Sequence, residues 1–158
     1  MKKIFYIIII LCLTVSLNSC GSDDDDSPVQ SNKEMLTDKS WVVSSKTVSP
    51  SISMGGVEVS NIMLLETEEV RNYSFKYNND NTLIMYDYLG TQIFQTTWTI
   101  NSEENQVNHT EPIIYTYPIV GGINISEYKI ESITTNEMVA TISFQYEEID
   151  YVVTITFI

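Results

Sequence analysis

From Lys39 to the C-terminus, apolar residues recur at alternate positions, and no stretch sustains an i, i+3, i+4 pattern over ten residues. Two is the side-chain period of a β-strand, so the body of the chain is expected to be all-β. Turn residues punctuate the alternation and divide it into strands at about 40–48, 71–77, 82–88, 91–100, 107–117, 123–133, 138–146 and 151–158. Phe94, Thr96, Trp98 and Ile100 share one face. Asn78-Asn79-Asp80-Asn81 suits a turn, because short amide and carboxylate side chains bond the local backbone and tolerate positive φ. Gly121-Gly122 allows a tight reversal, and Pro112 bends or ends the strand that holds it. Short helices are expected at 33–38 and 61–69. Eight successive strands with hairpin-length connections favour an antiparallel up-and-down β-barrel, whose closure removes exposed edges. The alternative is an immunoglobulin-like β-sandwich, which needs crossovers that this chain largely lacks.

Ahead of this body stand Lys2 and Lys3, then 14 uncharged, apolar residues from Ile4 to Leu17. A bilayer core needs about 20 such residues in a spanning helix, whereas 10 to 14 match the apolar region of a signal peptide. Leu17-Asn18-Ser19-Cys20 resembles the bacterial lipobox. The resemblance implies that residues 1–19 are a signal peptide and that Cys20 becomes a lipid-bearing N-terminus. Residues 20–32 then form a polar tether around Asp23-Asp24-Asp25-Asp26, and 33–158 a single domain. Adjacent carboxylates keep such a segment solvated, with a span of about 20 Å as a coil. An acidic run directly after the lipidated cysteine also resembles the surface-export signal of Bacteroidetes lipoproteins. It implies display on the outer face of the outer membrane, the alternative being its periplasmic face.

The net charge is -13, and loss of Lys2 and Lys3 leaves 6 basic against 21 acidic residues, or -15. Such a surface repels nucleic acid, whose binding depends on Lys and Arg releasing counterions from phosphates. It equally disfavours anionic headgroups, so the membrane contact is expected through the lipid on Cys20 and not through the protein. Cys12 lies in the leader, so acylation of Cys20 leaves neither a free thiol nor a disulfide.

No residue set announces catalysis. His109 is the single histidine and has no nucleophile elbow near it. One histidine cannot seed a zinc site, and the acidic clusters at 66–69 and 147–150 lack the spacing and glycine of a calcium loop. The chain is read as a non-enzyme without cofactor or metal.

Leu36-Thr37-Asp38-Lys39-Ser40-Trp41-Val42-Val43, the stretch from Tyr73 to Leu83, Thr97-Trp98-Thr99-Ile100 and the stretch from Ile130 to Met138 occur in that order. Together they resemble the lipocalin-like lipoproteins of Bacteroidetes, which implies a calycin-type barrel opened by the tryptophan strand. Lipocalins usually carry Gly where this chain has Lys39, and they tend to pack a late arginine across the indole. The only arginine here is Arg71, so that contact is absent or replaced. The aromatic residues Trp41, Tyr73, Phe75, Tyr77, Phe94 and Trp98, followed by Tyr115, Tyr117, Phe144 and Tyr146, form the candidate pocket or core. An eight-stranded barrel is just wide enough to be filled by side chains or to hold one small ligand. Two functions follow as expectations. One is a lipocalin-like domain that binds a small apolar or amphipathic molecule. The alternative is an envelope interaction or accessory protein that engages a protein or glycan through its outer face or loops.

Overall fold

The computed structural model describes residues 30–117 and 121–158, so the leader, Cys20 and the aspartate run lie outside the described residues. Helix α1 (Asn32–Asp38) leads into β1 (Ser40–Met54) and β2 (Val57–Asn61). A 3-10 turn (Ile62–Leu65) and the short α2 (Glu68–Arg71) follow. The remaining strands are β3 (Ser74–Tyr77), β4 (Thr82–Tyr86), β5 (Gln92–Ile100), β6 (Gln106–Tyr117), β7 (Gly121–Ile133), β8 (Met138–Tyr146) and β9 (Ile149–Phe157).

From β3 onward each strand pairs antiparallel with the next, and β1 pairs with both β3 and β9. Eight strands therefore close into a barrel, and the sandwich alternative is not the fold adopted. The ninth strand, β2, was not expected. It exists because β1 is longer than its neighbours: Ser40 to Val42 pair with β3, and the edge beyond them is taken by β2 from Thr47↔Asn61 to Met54↔Val57. The turn and α2 then lead back over that edge, burying Ile62.

Helix α1 starts with a capping box in which Ser31 and Glu34 satisfy each other's backbone N–H. Its Leu36 is buried, and the Leu36 carbonyl accepts a 2.9 Å bond from Trp41 Nε1. Over the face of that indole lies Lys39, with Nζ 4.4 Å from the ring centroid and donating to the Asn136 carbonyl at 3.0 Å. A lysine from the chain's own entry into β1 thus lies over the indole as a cation–π partner.

The alternation slips where bulges interrupt it. Trp41 and Val43 face inward, the register against β9 shifts between Val43 and Ser45, and the next inward residues are Lys46 and Val48. A larger slip falls in β6 between Asn108 and Ile113, around Pro112, which has no N–H to give a ladder. Strand β7 slips again against β8 between Ile130 and Ser132.

Candidate functional site

The aromatic residues singled out above do not converge on one chamber. Trp41 is buried beneath α1, and Phe75 meets Phe157 edge-on at 5.8 Å. Tyr77 and Trp98 meet edge-on at 5.3 Å, with His109 and Tyr128 beside them. Tyr115 and Tyr117 stack at 6.4 Å, while Tyr73, Phe94, Phe144 and Tyr146 are half-buried at the margin of the core. Phe144 stacks on Tyr151 at 5.3 Å.

His109, the single histidine, lies on β6 inside the barrel and is buried. Nε2 is 3.2 Å from the Tyr77 hydroxyl and Nδ1 is 3.4 Å from the Ile125 carbonyl. A neutral ring satisfies both, donating from Nδ1 and accepting at Nε2. Burial pushes its pKa down to about 4, and burial likewise pushes the Tyr77 phenol well up. A phenol and a backbone carbonyl orient the ring, so this is a packed polar pair and not a base poised against a nucleophile.

The second polar group was missed by sequence reasoning. Lys46 Nζ lies 2.6 Å from Glu66 Oε1, with both side chains buried. Tyr117 donates to the same oxygen at 2.7 Å, and the ammonium sits 3.7 Å from the Tyr115 ring centroid. Arg71 donates from Nε and Nη2 to the Glu66 carbonyl at 3.1 and 2.8 Å, tying α2 back over the residue that supplies the carboxylate. Burial lowers the Lys46 pKa, opposed by the attraction of Glu66. Glu66 Oε2 is buried and has no hydrogen-bond partner among the described residues. One signal in the sequence marks the frame slip that brings Lys46 inside: Val43 and Val48 are five residues apart, an odd spacing that strict alternation cannot place on one face.

Two cavities lie between these groups. One is bounded by Ile52, Met54, Ile62, Leu65, Tyr117, Ile123 and Phe144, and the other by Lys46, Tyr115 and the aliphatic residues around them. Each has a volume of about 10 Å³, about the minimum for a single water.

The wall of the barrel is different. Strands β7 and β8 pair only from Lys129↔Thr141 to Ile133↔Met138. Beyond that point β7 stays with β6, β8 stays with β9, and no backbone pairing joins Gly121–Tyr128 to Ile142–Tyr146. Between the diverging strands lies a fissure of about 440 Å³. Asn124, Ser126, Glu127, Thr141 and Ser143 line it together with inward-facing Ile123, Ile125 and Ile142, so it cuts into the wall. The β5–β6 loop, through Asn101, Glu103 and Asn105, forms its far end. A hollow of about 710 Å³ around Glu34, Asp38 and Asn79 is shallower and lies where the described chain begins.

No model of a known protein family matches this chain, and no curated protein matches it.

Proposed function

We propose that this chain is a lipid-anchored, surface-displayed envelope protein whose barrel is a non-catalytic recognition module, and that it engages its partner through the outer wall at the β7–β8 fissure. The carrying observation is the contrast in volume: about 10 Å³ for each interior cavity against about 440 Å³ between the strands. With interior cavities of that size, the recognition chemistry is assigned to the wall. The amides and hydroxyls of Asn124, Ser126 and Ser143 offer donors and acceptors there, beside the carboxylates of Glu103 and Glu127. The anchor rests on the lipobox-like stretch before Cys20, and the acidic run behind it supports the outward address.

One observation favours a second reading, a small amphipathic ligand in the same cleft. The lining joins inward isoleucines to outward polar side chains, and the volume falls within the roughly 300–1,000 Å³ usual for small-molecule sites.

Two experiments test the proposal. A photo-crosslinking amino acid at position 143, compared with position 88 on the β4–β5 turn, is activated in intact cells, and adducts are expected at 143 in excess over 88. Equal labelling at the two positions removes the fissure as the recognition surface. Detergent phase separation of the wild type and of Cys20→Ser tests the anchor, which is expected to hold the wild type in the detergent phase and to release the variant to water.

A further inference from the structure

The fissure exposes more than side chains. Val42 and Ile158 exchange reciprocal backbone bonds of 2.9 Å, which fixes the alternation of the last strands. Ile158 bonds β1, so Phe157, Ile155, Val153 and Tyr151 turn their backbone groups to β8, and their partners Met138, Ala140, Ile142 and Phe144 turn theirs to β9. Ser143 and Gln145 therefore direct their N–H and C=O groups away from β9, and those of Ser143 face the fissure that it lines. On the other side, the Ile130 N–H bonds the Asn105 carbonyl at 2.7 Å on the β6 side, which turns Lys129 and, by the same alternation, Glu127 toward β8. Lys129 meets Thr141; Glu127 meets no strand residue. Two facing strand edges with open donors and acceptors are the template that an extended chain completes.

We infer that the fissure is a strand-addition site, and that its occupant is an extended, basic peptide segment of another protein inserted between β7 and β8. The inference rests on the outer-wall reading above and names its partner class. The charge argues for a basic occupant. Glu103 and Glu127 line the cleft, Glu147 and Glu148 stand at its open end, and the one lining cation, Lys129, is held 2.9 Å from Glu131. A second processed copy of this chain would bring 6 basic against 21 acidic residues, or another -15, against that rim, so self-association through this edge is opposed. The alternation of the wall sets the pattern: inward side chains of the added strand meet Ile123, Ile125 and Ile142, while outward ones meet the carboxylates. An apolar–basic alternation satisfies both.

The test uses the full lipidated chain in detergent and an end-blocked, fluorescent octapeptide of alternating Val and Lys, read by anisotropy. The Val-Lys peptide is expected to bind, and binding is expected to weaken with salt. The same peptide methylated on alternate amide nitrogens, and an alternating Val-Glu peptide, are each expected to bind at least 10-fold more weakly. Ser143→Pro removes one edge N–H without touching the β8–β9 ladder and is expected to weaken binding at least 10-fold with the thermal midpoint retained. Methylated peptide binding within twofold of its parent overturns strand addition, as does an absence of Val-Lys binding to the wild type. The methylation comparison needs no change in the protein, so it decides the matter even if Ser143→Pro does not fold. Crosslinking at position 143 that yields only glycan or small-molecule adducts, together with no peptide binding, overturns the strand inference and leaves the outer-wall reading standing. An absence of adducts removes the wall reading as well.

Discussion

Lys46 of β1 and Glu66 of the turn before α2 meet at 2.6 Å inside the barrel, twenty residues apart in sequence and sealed from solvent by Tyr115, Tyr117 and their apolar neighbours. A buried ion pair adds little net stability over an apolar pair of the same shape, but breaking it leaves an uncompensated charge in a low dielectric. Its structural effect is to pin the irregular segment between β2 and β3 to the barrel, since the same Glu66 is held through its carbonyl by Arg71.

Removing one partner should therefore cost far more than removing both. Lys46→Met is expected to destabilise the protein by about 3–5 kcal/mol in urea unfolding. Lys46→Met with Glu66→Gln is expected to recover most of that, because the amide oxygen still accepts from Tyr117. A single-variant loss under about 1 kcal/mol would show that the pair is wet in solution.

His109 gives the barrel a specific response to acid. Its folded pKa of about 4 lies below the ordinary value of 6.5, so the unfolded chain takes up the proton first as pH falls. The stability from keeping the ring neutral is complete above pH 6.5, is lost between 6.5 and about 4, and falls no further below that. The loss amounts to about 3 kcal/mol at 1.36 kcal/mol per pKa unit. His109→Gln is expected to flatten the pH dependence of unfolding over that window relative to wild type, and parallel curves would remove the assignment.

The β8–β9 hairpin turns on Glu147 and Glu148 alone, with φ of 48° and 64°. Two residues with positive φ define the type I′ turn that normally carries Asn-Gly, and left-handed backbone costs other residues roughly 1 kcal/mol or more. Glu147→Asn with Glu148→Gly is expected to raise stability by about 1–2 kcal/mol, read in urea. The same variant removes two carboxylates from the open end of the fissure, so it is also expected to weaken binding of the Val-Lys peptide.

Trp41 Nε1 holds α1 to the barrel through the Leu36 carbonyl. Trp41→Phe keeps a large ring but deletes that donor, with an expected cost of about 1–3 kcal/mol from the orphaned buried acceptor and the lost ring volume. Hydrogen exchange should locate the effect, with amides of α1 exchanging faster while those of β8 keep their protection.

The strands were legible wherever the frame ran unbroken. Strand β8 has the bounds expected from its alternation, Phe94, Thr96, Trp98 and Ile100 share the inward face of β5, and α1 and the helical turns near 62–71 fall where short helices were expected. Strand β2 was not legible, because its residues are mostly exposed and no burial pattern marks them. Neither were the interior places of Lys46 and His109, nor the divergence of β7 from β8.

Alternation is a local property, fixed by the two-residue repeat of the extended backbone, and it was enough to mark an all-β chain of consecutive hairpins, whereas the choice of barrel over sandwich was made by β1 pairing with both β3 and β9. Which face a residue finally takes depends on how many bulges lie between it and its register partner, and register is set by the neighbouring strands. Ser44-Ser45 could lie flat or bulge until β9 came alongside to close the barrel; only that pairing carried a lysine into the core, and only the drift of β7 away from β8 opened the wall.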